Sequence, residues 1–233
     1  MTTTTTSPPT TPPATTSPLP TPASGPRRQE RATATRTALL DAALQEFAAH
    51  GFDGASTRAI AARAGSHQPQ INYHFASKDA LWKAAVDHLF ARLDRAVIDH
   101  LGDTDPGWDN RAGFAANIHA FVRAAAALPE LNRIMVQEAT IDSERLQWIV
   151  ERHTRPRFRL VTERWRQLRS GGQVADVDEV VFYYSLVGAA SLAYVNAPEA
   201  RLLGHDTLAD SFIDAHADAL VTMFLGPADR SGG

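Results

Sequence analysis

AGSHQPQINYHFASKDALW, residues 64–82, lies between two alanine-rich stretches and is unlike either. Two glutamines, an asparagine, a tyrosine and two histidines crowd around one apolar pair, Ile71 and Phe75. A core helix has no use for so many hydrogen-bonding groups, because each one costs free energy when buried without a partner. A surface loop has no use for the apolar pair. A short helix reconciles the two: Ile71 and Phe75, spaced i and i+4, anchor it to a small core, and the polar side chains turn outward.

The flanking sequence supplies the rest of a motif. Upstream, Leu40, Leu44 and Phe47 share one face of a helix expected over about 30–50, which Gly51 ends. Ser56 is placed to cap a second helix, 57–64, with Ile60, Ala61 and Ala64 facing inward, and Gly65 stops it. A third helix, 68–74, carries Pro69 in its first turn, where the missing N–H costs nothing. Ser77 then caps a long fourth helix, about 78–100. Two short helices joined by a glycine-containing turn, behind a longer packing helix, form a helix-turn-helix whose second helix enters the DNA major groove. Gln68 and Gln70 can pair with a base edge, and Pro69 offers apolar contact to a thymine methyl. Tyr73, His74 and Lys78 suit phosphate oxygens, and the helix start at Lys78 adds backbone N–H groups. His74 also fits a buried, hydrogen-bonded ring, and His67 a plain surface position.

ALLDAALQEFAAHGFDGASTRAIAARAG, followed by INYHFASKDALW, resembles the TetR family of bacterial transcriptional repressors. The pattern lies in Phe52 after the glycine, Ile60-Ala61, Ala64-Gly65, His74-Phe75 and Ser77-Lys78, and it covers about a fifth of the chain. The resemblance implies an all-α homodimer with a three-helix DNA-binding domain, a larger helical domain for dimerisation and a small-molecule inducer. By position it assigns Thr57 to a phosphate and Arg58 to a base. Gln68-Pro69 resembles the opening of a recognition helix in the family, at positions that read bases, and Tyr73, His74 and Lys78 fall at backbone-contact positions. The chain departs from the pattern at three places. Ser66 replaces the usual valine of the turn, His67 replaces a small capping residue, and Asn72 replaces a tyrosine that holds a phosphate, with a shorter reach.

Composition agrees with this reading. The 233 residues are 44% hydrophobic and 21% charged, as in globular proteins, and the absence of cysteine excludes disulfides and thiolate metal sites. No apolar run approaches the ~18 residues of a membrane span, and no signal-peptide layout is present, so a soluble, cytoplasmic protein is expected. The formal net charge of −3 is uneven. From Arg27 to Lys83 eight cations face five anions, leaving the remainder at −6. Such asymmetry suits a localised polyanion contact, and chance clustering of surface charge explains it equally well. Three domains are expected: a disordered Thr/Pro-rich tail over 1–26, the DNA-binding domain over 27–83, and a ligand-binding and dimerisation domain over 84–228.

Beyond the loop GDTDPGWD, 102–109, helices are expected at about 110–128, 129–140, 143–170 (interrupted near Pro156), 176–196 and 206–225. VVFYYSLVGAASLAYV, 180–195, is apolar all round, and Gly188 to Ser191 would permit close helix approach. Paired with the last helix, it could form a four-helix interface with its copy, or simply an internal core. Candidate inducer contacts are Phe114, Ile118, Phe121, Met135, Glu138, Trp148, Phe158, Trp165 and Tyr184, each of which also reads as ordinary core. Glu138 is the sharpest polar candidate, for a cationic ligand or for one of the neighbouring arginines. The expected partners are therefore double-stranded DNA with a near-palindromic operator, a second copy and an unidentified small-molecule inducer, with no cofactor, metal or membrane. The alternative is a helical enzyme or small-molecule-binding protein without DNA-binding function. Against it, the chain has no HExxH, Gly-rich phosphate loop or nucleophile elbow, and His119 and His153 have no partner at metal-ligand spacing.

Overall fold

The computed structural model of the chain describes residues 1–2, 26–102 and 107–226; the expected disordered tail lies almost wholly outside them. Among the described residues all regular structure is helical, as the alanine- and leucine-rich sequence requires. Helix α1, Pro26–Gly54, starts before the expected residue 30 and is broken at Gly51, whose φ of 67° takes the chain out of helical geometry. Helices α2 (Thr57–Arg63) and α3 (Gln68–His74) follow, then α4 (Lys78–Leu101). The second part holds α5 (Arg111–Ala127), α6 (Pro129–Ala139), α7 (Glu144–Ile149), α8 (Arg155–Ser170), α9 (Glu179–Val195), α10 (Ala197–Leu202) and α11 (Asp210–Leu225).

Two expected boundaries are corrected. The segment 143–170 is divided by a π-helical turn at Val150–Thr154, in which the Arg155 N–H reaches back to the Val150 carbonyl. Pro156 follows at once and has no N–H to give, so the interruption foreseen at the proline spreads over the turn before it. The last helix begins at Asp210 rather than 206, and the short α10 occupies sequence read as the connection before it.

Two apolar cores result. The first gathers Leu39, Leu44, Phe47, Ile60, Ile71, Phe75, Leu81, Trp82 and Leu89 with Leu131, Ile134 and Ile149 of α6 and α7. The second gathers Phe114, Ile118, Trp165, Phe182, Tyr194 and Leu220 from α5, α8, α9 and α11. Helix α4 lies against the first core from Leu81 to Val97, and Phe121 of α5 packs against both cores. The boundary expected at residue 83 therefore falls inside a continuous helix.

Candidate nucleic-acid interface and ligand cavity

The turn between α2 and α3 is built from backbone hydrogen bonds. Ser56 accepts from the Ala59 N–H at 3.3 Å and starts α2. At the other end Gly65, with φ of 62°, lets its own N–H reach the Ala62 carbonyl and the Ser66 N–H reach that of Ala61, at 3.1 and 2.9 Å. This closes the helix without help from a side chain, so serine in place of valine at 66 leaves the turn intact. His67 makes no side-chain capping bond, as its departure from the small capping residue implies.

Helix α3 answers the question its composition raises. Ile71, 2% exposed, and Phe75 are buried in the first core, while Gln68, Pro69, Gln70, Asn72 and Tyr73 face solvent. Tyr73 is 75% exposed, a large ring displayed rather than packed. The C-terminal end is held by Arg36 of α1, whose guanidinium lies 4.5 Å from the Phe75 ring centre and donates to the His74 carbonyl at 3.4 Å. Arg58 is exposed; Thr57 and His74 are half-buried. Beneath this unit Glu46 is buried, accepts the Ser56 N–H at 3.2 Å and faces Arg63 at 3.7 Å. The carboxylate thus ties α1 to the start of α2.

Lys78, expected at a phosphate, is engaged within the fold in the free protein. A phosphate contact calls for a side chain in solvent, but Lys78 is half-buried, donates to the Asp53 carbonyl at 3.2 Å and lies 5.0 Å from the Phe52 ring centre. The Asp53 carbonyl lies in the last turn of α1, where the helix supplies no donor, and Lys78 provides one.

The other feature is a cavity of about 380 Å³, within the usual range for small-molecule sites. Its walls come from the C-terminal half of α4 (Leu93, Val97, Ile98, Leu101), from α5 (Phe114, Asn117, Ile118, Phe121), from α8 (Leu160, Val161) and from α9 (Tyr183, Leu186, Val187), with Trp108 beside them. At the exposed rim Arg157 donates to both oxygens of Asp94 at 2.6 Å. Burial pushes the Tyr183 phenol up, so it stays neutral. Asn117, 3% exposed, donates from Nδ2 to the Gly113 and Gly107 carbonyls at 2.9 and 3.3 Å, and its Oδ1 is buried without a partner.

Comparison with known proteins bears on both features. Residues 39–85 match the family model described as bacterial regulatory proteins, tetR family. That segment, about a fifth of the chain, matches the TetR family. The HTH-type transcriptional repressor NicS of Pseudomonas putida is 33% identical over 69 residues, a match covering 30% of this chain and 32% of that protein. A transcriptional regulator from Streptomyces coelicolor superposes with a TM-score of 0.57 at 23% identity, over 83% of this chain and 99% of its own. AibR, solved with isovaleryl coenzyme A and operator DNA, gives a TM-score of 0.57 at 20% identity, over 83% and 100%. These two likenesses establish a shared fold along nearly the whole described chain.

The expected inducer contacts separate. Phe114, Ile118 and Phe121 line the cavity; the others stand elsewhere. Met135 and Trp148 pack against the first core. Glu138 is buried in a two-oxygen pair with Arg145 Nε at 3.1 Å, so the neighbouring-arginine alternative holds. Trp165 stacks on Phe182 with ring centres 3.7 Å apart and donates from Nε1 to the Val177 carbonyl, which leaves it no free edge. Phe158 lies edge-on to Tyr183, at one remove from the cavity. Tyr184 is 69% exposed on the outer face of α9. The sequence reading missed Asn117, Asp94, Arg157 and Tyr183. Only Asn117 had a signal, as the one amide among Phe114, Ile118 and Phe121 on an apolar helix face.

An uncovered apolar stripe runs along α9 through Val181, Tyr184, Gly188 and Leu192. Nothing lies within 4 Å of a Cβ placed on Gly188, so the close approach expected there is not made inside one copy. Leu208 and Met223 add exposed apolar surface at and near α11. Among the described residues, no helix is long and apolar enough to cross a membrane.

Proposed function

We propose that this chain is a homodimeric, cytoplasmic transcriptional repressor that binds a near-palindromic operator and is released from it by a small molecule. The observation that carries the reading is α3, which displays Gln68, Pro69, Gln70, Asn72 and Tyr73 while Ile71 and Phe75 hold it down. Gln68 and Gln70 are assigned to base edges, with Arg58 beside them; Thr57, Asn72, Tyr73, His74 and Lys78 are assigned to the backbone. The family's members are regulators rather than enzymes, which favours this reading over a helical enzyme. AibR, solved with isovaleryl coenzyme A and operator DNA on a similar fold, is a precedent for one such fold holding a small molecule and DNA together.

Helix α4 supplies the connection. It starts three residues after Phe75, and its far half lines the cavity. A ligand that prefers one placement of α4 by ~1–3 kcal/mol changes DNA affinity 5- to 150-fold. The α9 stripe, with Met223 of α11, is assigned to the dimer interface, because an apolar face of this extent is covered in stable proteins.

A gel-shift with the promoter next to the chain's own gene tests the DNA reading. A retarded complex with two symmetric protected half-sites is expected; absence of any shift at micromolar protein overturns it. Light scattering is expected to give the mass of a dimer. Gly188→Arg has room within one copy but none at a close contact between two, so it is expected to yield a folded monomer. A variant that stays dimeric moves the interface elsewhere.

A further inference from the structure

Resting on the reading of the chain as a dimeric DNA-binding repressor, we infer that Arg145 is a positioning residue: laid on Phe52, it fixes the angle of the DNA-reading helices on the helical body and so sets the half-site spacing that the dimer accepts. Helices α6 and α7 of the body meet the end of α1 and the start of α4 at this corner. Leu131, Ile134 and Ile149 join the first core there and give the contact its adhesion. The hydrophobic effect is non-directional, however, and apolar surfaces alone can slide and turn on one another. Direction comes from two polar contacts. Gln137 donates from Nε2 to the Ala48 carbonyl at 3.1 Å, which fixes one point on α1. Arg145 supplies the second: its guanidinium carbon lies 4.2 Å from the Phe52 ring centre and 5.8 Å from that of Trp82. The guanidinium is itself held, because its Nε–H is shared between both oxygens of Glu138 at 3.1 Å, and Glu138 is buried. Added to the attachment through α4, one directional point leaves a rotation about the line joining the two, and the second removes it. The division of parts matters as well. Glu138 and Arg145 both belong to the body, and Phe52 to the reading unit. The ring can therefore shift against the guanidinium without leaving a buried charge unpaired, so the contact sets an angle without being needed to hold the fold.

Half-site spacing reads that angle, because one extra base pair moves a half-site by roughly 3.4 Å and turns it by roughly 34° about the duplex. The probes are the protected duplex from the promoter next to the chain's own gene and the same duplex with one base pair inserted or removed at its centre. The natural full-length chain is expected to lose most of its affinity for the altered duplexes. Arg145→Lys keeps a cation for Glu138 but has no flat face to lay on the ring. Phe52→Leu keeps apolar bulk without the ring. In each variant the loss on the altered duplexes is expected to shrink roughly tenfold, the worth of one exposed cation–π contact on each of two protomers. Base preference within a half-site is expected to stay as in the natural chain. A fall in stability alone lowers binding to all duplexes alike and leaves the ratio between them unchanged. If both variants keep the natural ratio, Arg145 only neutralises Glu138 and the inference is overturned. The same holds if Phe52→Leu alone relaxes it, because the ring then acts through Lys78. Should Phe52→Leu fail to fold, Arg145→Lys decides alone. If the natural chain binds none of the duplexes, the repressor reading itself falls and takes the positioning role with it.

Discussion

Helix α3 and the cavity wall use the same ingredients in opposite proportions. On α3 two apolar side chains hold five solvent-facing residues in place. On the cavity wall more than ten apolar side chains stand with one amide side chain and a neutralised ion pair. A surface that reads another polymer must carry its hydrogen-bonding groups outward, and a helix so loaded looks wrong for either core or loop. A pocket for a small apolar molecule is a piece of core with atoms missing. The first is therefore conspicuous in a sequence, and the second is concealed.

The largest expected effect tests whether α3 divides its labour in this way. Ile71→Ala removes the anchor from a fully buried site, and stability is expected to fall by ~2–5 kcal/mol, measured by denaturant or thermal melting. Gln70→Ala, fully in solvent, is expected to leave the melt unchanged. It should cost ~1–3 kcal/mol of operator affinity and relax preference at one position, read from binding to operator mutants. The reverse result, with Gln70→Ala melting early and Ile71→Ala altering only specificity, would mean that the other face of α3 meets DNA.

Lys78, the proposed phosphate contact, blurs the division, because its side chain is also engaged within the fold. Lys78→Ala is expected to weaken binding to all sequences alike and to lower the salt slope by about one unit, since one counterion-releasing contact is lost. It is also expected to cost ~0.5–1.5 kcal/mol of stability, because the Asp53 carbonyl loses its donor and Phe52 its cation. A variant whose melt is unaffected would return Lys78 to a purely DNA-facing role.

The same contrast explains what the sequence makes legible. Ile71 and Phe75 at i and i+4, the cap at Ser56 and the stop at Gly65 are local signals, and α2 and α3 end within a residue of expectation. The Lys78 side chain reaches the Asp53 carbonyl 25 residues back, a pairing that no local pattern announces. Around the cavity, Phe114, Ile118 and Phe121 share one face of α5, but Trp165 and Met135 have the same apolar character and differ only in what lies opposite. Which wall is complete and which is missing depends on how four helices meet. Asp94 and Arg157 lie 63 residues apart, beyond any periodicity. Glu138 illustrates the limit: its burial was legible, but its partner Arg145 lies across the break between α6 and α7.

The smallest effect concerns the seam where α4 meets the π-helical turn, between the two regions. His153 is buried there, stacked on Phe90 with ring centres 4.2 Å apart and edge-on to Trp148. Its Nε2 stands 2.9 Å from an Asp87 oxygen but out of hydrogen-bond alignment. Burial lowers the imidazole below its ordinary value of 6.5; the charge of Asp87 works against this, while Arg157 and Arg152 reinforce it. The unfolded chain therefore takes up its proton at a higher pH than the folded one, and stability rises with pH across the interval between the two pKa values. The contribution of His153 is full above about 6.5, declines as the pH falls below that value, and levels off once the folded imidazole has also titrated. His216 and His100 are lowered too, both chiefly by burial, and act in the same direction. His153→Phe keeps a ring against Phe90 and removes the proton. Melting temperatures between about pH 7.5 and 5.5 are expected to decline less in this variant than in the natural chain, with the remaining slope left to the other two histidines. A steeper decline in the variant would mean that Asp87 outweighs burial and that the seam carries a charged imidazole at neutral pH; an unchanged slope would mean that the two cancel.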